Sequence, residues 1–228
     1  MKSFDLLIFD LDDTLLDFSY SEEKALPYTM NLFGIPISPE DFAEYKRINQ
    51  VCWKDMELGR LSKEDCVVLR FERFFEKLGI AELSPSEVNE VYLNSLSKFT
   101  RPIEGARELL ETLKKDYKLA ILTNGVKKVQ DSKIECNGLQ AYFDAIVVSD
   151  DAGFNKPDVR IFTYLEGLLG PFDKERVLMI GDSEASDIAG GKAFGIKTCL
   201  FDRKGEAEEH IADYKVSKLS DIMKILEA

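Results

Sequence analysis

The chain has 228 residues, of which 45% are hydrophobic and 32% are charged, and its formal net charge is -12. This composition is typical of a globular protein, and it excludes a disordered, fibrous or disulfide-dependent chain. The excess of negative charge excludes a long nucleic acid as a partner, and an anionic small substrate would need a local positive centre in order to bind.

The first predicted element is a strand at residues 5–10, a short apolar run that lies between two aspartates. An apolar run without polar alternation is typical of a strand that is buried on both faces of a parallel sheet. Asp10 ends this strand, and Asp12 follows two residues later. In an extended segment the side chains of these two residues point to the same side.

A long helical region follows the first strand. From residue 19 to residue 99 the apolar residues recur with helical spacing, and no buried strand is predicted. The pattern predicts four helices, at residues 21–33, 39–58, 63–78 and 85–96. Four helices can cover one another as a bundle, so we expect an all-helical domain at residues 19–99, inserted into a core of residues 1–18 and 100–228.

Strands and helices alternate in the rest of the chain. The expected strands lie at residues 118–123, 145–149, 177–181 and 197–200, and the expected helices lie at residues 104–115, 126–136, 158–169, 186–194 and 220–226. This alternation predicts an α/β fold with a doubly wound, parallel, Rossmann-like sheet. Ligands of such sheets bind at the carboxyl ends of the strands, so the functional residues should follow the strands.

Polar residues follow four of the predicted strands. In chain order they are Asp10 and Asp12, then Thr123 and Asn124, then Lys156, and finally Asp182. Carboxylates that share one edge of a sheet repel each other unless a cation lies among them. Oxygen ligands without a nearby histidine or thiolate suit Mg²⁺, and Asp10 and Asp182 are its candidate ligands.

This set of residues predicts the hydrolysis of a phosphate monoester. The carboxylate of Asp10 is the expected nucleophile, which attacks phosphorus and forms an aspartyl-phosphate. Asp12 would protonate the leaving oxygen and later take a proton from the water that hydrolyses the intermediate. Lys156 and the metal ion would offset the charge of the phosphate.

Two further groups are expected to bind the phosphate. The hydroxyl of Thr123 would donate a hydrogen bond to a phosphate oxygen. The backbone amides of Asn124 and Gly125 are expected to open the next helix, and the amino end of a helix binds anions. These groups would supply the local positive centre that an acidic protein needs.

Four segments resemble the sequence motifs of the haloacid dehalogenase superfamily of phosphatases. They are DLDDT at residues 10–14, LTNG at residues 122–125, KP at residues 156–157 and GDSEASD at residues 181–187. The resemblance implies the core fold of this superfamily, with a helical cap at residues 19–99 that closes over the site. It also implies that Asp187 orients Lys156, and that Asp12 binds the magnesium ion through its backbone carbonyl.

Part of the expected cap resembles the pyrimidine 5′-nucleotidase branch of the superfamily. The likeness covers residues 48–71, where it makes Asn49, Trp53 and Arg70 candidates for substrate recognition, and the stretch at residues 137–157 agrees with it. For Trp53, a place in the core of the cap is an equal alternative. The sequence departs from the pattern of this branch at Asn137 and Asp150. The implied substrate is a nucleoside 5′-monophosphate, with a preference for pyrimidine bases.

Several other functions fit the same core motifs. A sugar-phosphate or phosphoglycolate phosphatase would have them, and a phosphoglucomutase also forms an aspartyl-phosphate. A 2-haloacid dehalogenase shares the fold and the Asp10 nucleophile, but it needs neither a metal ion nor a second carboxylate such as Asp12. A phospho-acceptor signalling domain also groups aspartates with threonine and lysine, but it is phosphorylated after its third strand and has no cap.

Three further residues have simpler explanations. Asp13 suits a loop position with a positive φ, with a role as a further metal ligand as the alternative. Glu184 suits the first turn of a helix, with coordination of magnesium as the alternative. His210 is the only histidine, and its acidic surroundings predict a solvated helix face. Phosphatase chemistry that depends on histidine is therefore disfavoured.

The four cysteines are widely separated, and we find no signal peptide and no apolar run long enough to cross a membrane. We therefore expect reduced thiols, a cytoplasmic location and no membrane contact. The expected partner is a small phosphate monoester, and the expected cofactor is Mg²⁺. An oligomeric state does not follow from the sequence.

Overall fold

The computed structural model describes residues 3–227, which form two compact units. The core unit contains residues 3–18 and 101–227, and the helical unit contains residues 19–100. The helical unit is therefore inserted between two segments of the core. Its action as a cap on the site stays a prediction.

The helical unit is made of four helices. They are α1 (Phe18–Leu32), α2 (Pro39–Glu57), α3 (Lys63–Leu78) and α4 (Pro85–Lys98). Each of the last three follows a serine whose hydroxyl accepts a hydrogen bond from a backbone N–H of the first turn. This bond satisfies a donor that has no partner within the helix, which explains where these helices begin. α1 begins at Phe18, ahead of its predicted start at residue 21.

Aromatic side chains fill the interior of the helical unit. The ring of Tyr45 on α2 lies 5.4 Å from that of Phe71 and 5.3 Å from that of Phe74, both on α3. It also lies 5.7 Å from the ring of Tyr92 on α4. Tilted and edge-to-face contacts at these distances stabilise a core beyond the burial of apolar surface alone. Three of the four helices thus pack around one group of rings.

A six-stranded sheet forms the centre of the core unit, and every neighbouring pair of strands in it is parallel. The strands are β1 (Leu6–Phe9), β2 (Lys118–Thr123), β3 (Ala145–Val148), β4 (Val177–Gly181), β5 (Lys197–Phe201) and β6 (Tyr214–Val216). Their order across the sheet is β3-β2-β1-β4-β5-β6. This order confirms the predicted doubly wound α/β fold. The chain adds β2 and β3 on one side of β1, and it then crosses to the other side of β1 and adds β4, β5 and β6.

Both faces of the sheet are buried, which explains why the strands have no polar alternation. On one face Leu7 and Phe9 of β1 belong to a cluster that includes Leu110. On the other face Leu6 and Ile8 belong to a second cluster that includes Phe162. Successive residues of one strand therefore supply apolar side chains to two different cores.

Six α-helices surround this sheet in the described part of the core unit. They are α5 (Ala106–Leu113), α6 (Lys127–Cys136), α7 (Ser149–Ala152), α8 (Val159–Leu169), α9 (Ala189–Phe194) and α10 (Ile222–Glu227). The sequence did not predict α7, which begins at the residue that was expected to end the third strand. A π-helical turn, Glu184–Ile188, precedes α9, so the predicted helix at residues 186–194 has two parts.

Within residues 3–227, none of the helices combines the length and the apolar character that a membrane span requires.

Candidate active site

The site begins with Asp10, which lies at the carboxyl end of the central strand β1. Its backbone N–H donates to the carbonyl oxygen of Ile180 at 2.9 Å, which continues the pairing between β1 and β4. Asp182 follows β4 directly. β1 and β4 flank the point where the strand order reverses, and parallel α/β sheets bind their ligands in the crevice at such points. The topology thus brings the two predicted metal ligands to one crevice.

Lys156 is the centre of a buried ion-pair network. Its Nζ lies 2.6 Å from Asp10 Oδ1 and 2.6 Å from Asp187 Oδ1, and it also donates to the carbonyl oxygen of Leu122 at 2.6 Å. Lys156 and Asp187 are both buried. A buried ammonium is costly unless carboxylates and carbonyl oxygens surround it, and here they do.

The backbone of Lys156 is held by the side chain of Asn124, which lies in the loop after β2. Asn124 Oδ1 accepts from the Lys156 N–H at 2.7 Å, and Asn124 Nδ2 donates to the Lys156 carbonyl oxygen at 2.9 Å. The side chain of Asn124 thus joins two loops of the site. α6 begins at Lys127, so the amides of Asn124 and Gly125 precede the helix instead of opening it. Phosphate binding by these amides stays a prediction. The argument from the amino end of a helix no longer supports it, because neither amide belongs to the first turn of α6.

Burial and neighbouring charge change the proton affinities of these groups. The pKa of Asp10 is raised to about 7. Burial is the largest cause, the charges of Asp187 and Asp12 add to it, and the charge of Lys156 partly offsets it. Burial alone would lower the pKa of Lys156, but the charges of Asp10 and Asp187 outweigh it and raise that pKa. Ionised Asp10 thus needs more positive charge than Lys156 supplies.

Asp182 is exposed at the crevice and lies close to other carboxylates. Desolvation by the surrounding protein and the negative charges of Asp10 and Asp187 hold its pKa well above the ordinary value. Because this side chain is exposed to solvent, we attribute the shift mainly to charge repulsion. The hydroxyl of Thr14 donates to Asp182 Oδ1 at 3.4 Å.

The three carboxylates could hold a metal ion. Oxygen atoms of Asp10, Asp182 and Asp187 all lie within 4.8 Å of one another. Asp187 Oδ1 accepts from Lys156 and its Oδ2 accepts from the Ser183 N–H at 3.0 Å, so this residue already uses both oxygens. Asp10 and Asp182 are then the better ligands, and an all-oxygen set with unrelieved negative charge fits a hard divalent cation such as Mg²⁺.

Gly181 allows Asp187 to approach the sheet. A Cβ atom at residue 181 would lie 2.1 Å from Asp187 Oδ2, which is far inside van der Waals contact. Any side chain at residue 181 would therefore push Asp187 away from Lys156. The backbone requirement at this position is space rather than an unusual φ.

Asp12 is held by two residues of α6 that the sequence analysis missed. Lys133 Nζ donates to Asp12 Oδ1 at 2.7 Å, and Gln130 Nε2 donates to Asp12 Oδ2 at 3.0 Å. The same Gln130 nitrogen lies 2.8 Å from Thr123 Oγ1. Both residues are buried, together with Val129 and Ile134. Two polar residues on the apolar face of a predicted helix are the signal that could have identified them.

The structural predictions for Asp13, Glu184 and His210 have different outcomes. Asp13 has φ 55, as its loop position predicted. Glu184 lies in the π-helical turn, where its Oε1 accepts from the Ile211 N–H at 2.8 Å. The prediction of a helix face around His210 is wrong, because this half-buried residue lies in an irregular segment between β5 and β6.

The three candidate recognition residues lie in the helical unit. Asn49 and Arg70 are buried there, and Arg70 Nη1 donates to Asn49 Oδ1 at 3.1 Å. Asn49 Nδ2 in turn donates to Glu22 Oε1 at 2.8 Å. Trp53 is half-buried on α2. Substrate recognition by these residues stays a prediction; their partners within the helical unit give Asn49 and Arg70 a structural role as well.

Comparison with known proteins agrees with this arrangement. Residues 7–201 match the family model of the haloacid dehalogenase-like hydrolases. This chain belongs to that family. Its relatives include the HAD-hydrolase YfnB of Bacillus subtilis, which is 35% identical to it over 99% of this chain and 97% of YfnB. This member of the family is therefore an enzyme, a hydrolase of the haloacid dehalogenase superfamily of phosphatases.

Two further comparisons concern function and fold. The pyrimidine 5′-nucleotidase YjjG of Escherichia coli is 33% identical, over 97% of this chain and 97% of YjjG. A crystal structure of YfnB bound to magnesium, which reveals interdomain movement, has a TM-score of 0.93 and 33% identity, and it covers 100% of both chains. This hydrolase and YfnB thus share one fold over residues 3–227.

Proposed function

We propose that this hydrolase removes phosphate from a nucleoside 5′-monophosphate with a pyrimidine base, through an aspartyl-phosphate on Asp10. One observation carries the proposal: the buried ammonium of Lys156 lies 2.6 Å from Asp10 Oδ1, at the end of the central strand and beside Asp182. A carboxylate beside a fixed positive charge supports this proposal, because the transfer of a phosphoryl group needs a nucleophile and a group that offsets negative charge.

The proposal includes Mg²⁺ as the cofactor. The carboxylates of Asp10 and Asp182 would hold the ion, together with the backbone carbonyl of Asp12 that the family resemblance implies. Once bound, Mg²⁺ would neutralise negative charge on the phosphate and on the nucleophile. The raised pKa values of Asp10 and Asp182 support a site that is built for an additional cation.

In the first step, a carboxylate oxygen of Asp10 attacks phosphorus and the bond from phosphorus to the ester oxygen breaks. The electron pair of that bond goes to the leaving oxygen, and Asp12 supplies the proton that this oxygen needs to depart as an alcohol. Lys156 offsets negative charge on the transferring group, and the hydroxyl of Thr123 donates a hydrogen bond to a phosphate oxygen.

In the second step, water attacks the phosphorus of the aspartyl-phosphate. Asp12, now a carboxylate, takes a proton from this water, and the bond from phosphorus to the Asp10 oxygen breaks. Inorganic phosphate leaves, Asp10 is again a carboxylate, and Asp12 is again an acid. One carboxyl group thus serves in both directions, which requires that it keep its position between the two steps.

The choice of substrate rests on relatives. YjjG is named a pyrimidine 5′-nucleotidase, and so is PynA of Streptococcus pneumoniae, which is 33% identical over 97% of this chain and 94% of PynA. Asn49, Trp53 and Arg70 are the proposed recognition residues, either directly or through the packing of the helical unit. The four cysteines are free, which supports a cytoplasmic location as part of the proposal.

A panel of phosphate esters tests this function. Purified protein with Mg²⁺ should release phosphate from uridine and thymidine monophosphate faster than from glucose 1-phosphate, glyceraldehyde 3-phosphate or phosphoglycolate, and a chelator should abolish the release. Much faster hydrolysis of a sugar phosphate would contradict the proposed substrate. Release of halide from 2-chloropropionate without phosphatase activity would contradict the proposed reaction.

A further inference from the structure

We propose that Lys133 and Gln130 are positioning residues, which fix the Asp12 carboxylate for its exchange of protons and leave the Thr123 hydroxyl free to bind phosphate. This inference rests on the proposed function, because Asp12 needs a fixed position only if it serves as the acid and the base. Neither residue belongs to the four sequence motifs of the site.

The two residues act on different oxygens of one carboxylate. Lys133 donates to Oδ1 of Asp12, and Gln130 donates to Oδ2. One hydrogen bond would leave the carboxylate free to rotate, whereas two bonds from a rigid helix fix both its place and its plane. Each carboxylate oxygen has two acceptor sites, so these bonds leave sites open for the transferred proton.

Gln130 has an orientation that only the Asp12 carboxylate explains. Its Nε2 faces both Asp12 Oδ2 and Thr123 Oγ1, while its own Oε1 is buried and accepts no hydrogen bond from any described residue. Reversal of the amide would put Oε1 against the Asp12 oxygen, which has no proton to donate when it is ionised. The amide thus leaves one acceptor unsatisfied, at a cost, in order to hold Asp12.

The same amide directs the hydroxyl of Thr123. Because Thr123 Oγ1 accepts the hydrogen bond from Gln130, its own proton is available for another acceptor. The N–H of Gly125 also points to this oxygen, at 3.5 Å. Gln130 therefore couples the group that moves protons to the group that binds phosphate.

Lysine is an unusual residue on the buried face of a helix, where Lys133 lies. Its ammonium is buried, lies 2.7 Å from Asp12 Oδ1 and lies 5.1 Å from the centre of the Phe18 ring. Burial of an ammonium is unfavourable unless a charged partner stands beside it, and Asp12 is that partner. The ion pair therefore compensates the charge of Lys133 and at the same time restrains the carboxylate of Asp12.

The test compares two substrates with different leaving groups in a single turnover. The alkoxide of a nucleoside needs a proton from Asp12 to depart, whereas p-nitrophenolate departs without one. In Lys133→Met, the release of uridine from uridine monophosphate should be about 10- to 100-fold slower than in the wild type. The burst of p-nitrophenolate from p-nitrophenyl phosphate should slow less than threefold, and KM for both substrates should change little.

Three variants complete the design. Lys133→Arg should recover most of the lost rate, because it restores a cation at Asp12. Lys128→Met on the same helix removes an exposed lysine and should leave both rates unchanged. Gln130→Leu, which removes the bond to Asp12 Oδ2 without burying a new charge, should show the same dependence on the leaving group and serves if Lys133→Met does not fold.

The outcomes separate this inference from the proposed function. Equal slowing for both leaving groups, or no slowing for either, would overturn the positioning role while the wild type remains a magnesium-dependent phosphatase. A wild type that releases no phosphate from any ester would overturn the proposed function itself. Selective slowing with nucleoside leaving groups, reversed by Lys133→Arg, supports the inference.

Discussion

Lys156 in the core unit and Arg70 in the helical unit are both fully buried cations, but their surroundings are opposite. Two carboxylates, Asp10 and Asp187, bond to the ammonium of Lys156. The guanidinium of Arg70 bonds to neutral oxygens instead, with Nη2 at 2.8 Å from Asn89 Oδ1 and Nε at 3.1 Å from a main-chain carbonyl. Its carbon atom lies 4.9 Å from the centre of the Tyr92 ring.

This difference shows what identifies a functional cation. Burial is the same in both cases, so burial alone does not decide. Around Lys156 three carboxylates face one ammonium, which leaves negative charge that a bound metal ion can compensate. Around Arg70 neutral oxygens and an aromatic ring contact the guanidinium and join three helices, and the nearby carboxylate of Glu22 reaches it only through Asn49. The charge of its partners, rather than its residue type or its burial, therefore indicates whether a buried cation has a functional role.

The largest expected effect comes from the removal of the nucleophile. Asp10→Asn should lower turnover by at least about 10³-fold, because an amide does not attack phosphorus. Asp5→Asn, at the opposite end of β1, should keep wild-type turnover and serves as the matched control. Steady-state release of phosphate measures both, and substantial turnover by Asp10→Asn would remove Asp10 from the mechanism.

The same substitution should not destabilise the metal-free fold. The pKa of Asp10 is raised in the folded state, so ionisation of Asp10 makes folding less favourable as pH rises from about 4 to about 7. A neutral asparagine removes this penalty. Urea unfolding above pH 7 should therefore give Asp10→Asn a free energy of unfolding equal to or above that of the wild type, as expected where function and stability conflict.

Arg70→Met should affect stability instead of chemistry. The variant leaves the amides of Asn49 and Asn89 without their donor, and we expect a loss of about 3 kcal/mol in the free energy of unfolding. Turnover of the folded variant at low temperature should stay within about twofold. Lys77→Met, at an exposed position of α3, is the control. A large rise in KM without a loss of stability would instead favour direct substrate recognition by Arg70.

Gly181→Ala tests the contact between Asp187 and Lys156 with one methyl group. Its Cβ would overlap Asp187 Oδ2, and displacement of Asp187 should lower turnover by about 10- to 100-fold. Gly167→Ala on α8 adds the same methyl group in open space and should be neutral or slightly stabilising. Unchanged turnover of Gly181→Ala would mean that Lys156 does not depend on Asp187.

The smallest expected effect concerns Asp213, a carboxylate whose pKa shift is opposite to that of Asp10. Burial alone would raise the pKa of Asp213, but hydrogen bonds from Lys192 and Thr198 outweigh it and lower the pKa to about 2. Ionised Asp213 therefore stabilises the fold above pH 4, and this contribution disappears as pH falls towards 2. Asp213→Asn should cost about 1–2 kcal/mol at pH 7 and little at pH 2.5, measured by urea unfolding.

The strand ends could be predicted from the sequence because a parallel sheet brings them together whatever the loops do. β2 and β4 have their predicted bounds, and Asp10, Thr123 and Asp182 lie where their strands end. Lys156 lies in the loop that follows α7. The role of Asp187 followed from the family resemblance alone. β6 was missed because it has three residues and only Val216 of these is buried.

The support of Asp12 could not be predicted in the same way. Gln130 and Lys133 are common surface residues of helices, and their burial depends on the packing of α6 beneath the loop that carries Asp12. The spacing along α6 places both residues on the face of Val129 and Ile134, but it does not show that this face meets the loop of Asp12.

The central claim is that Asp10 carries the phosphoryl group, and chemical trapping tests it most directly. During turnover of uridine monophosphate with Mg²⁺, an acid quench followed by borohydride reduction should convert residue 10 to homoserine, which mass spectrometry of the peptide detects. The conversion should require substrate and should be missing in Asp10→Asn. Phosphate release without any modification at residue 10, or with modification at another carboxylate, would contradict the account.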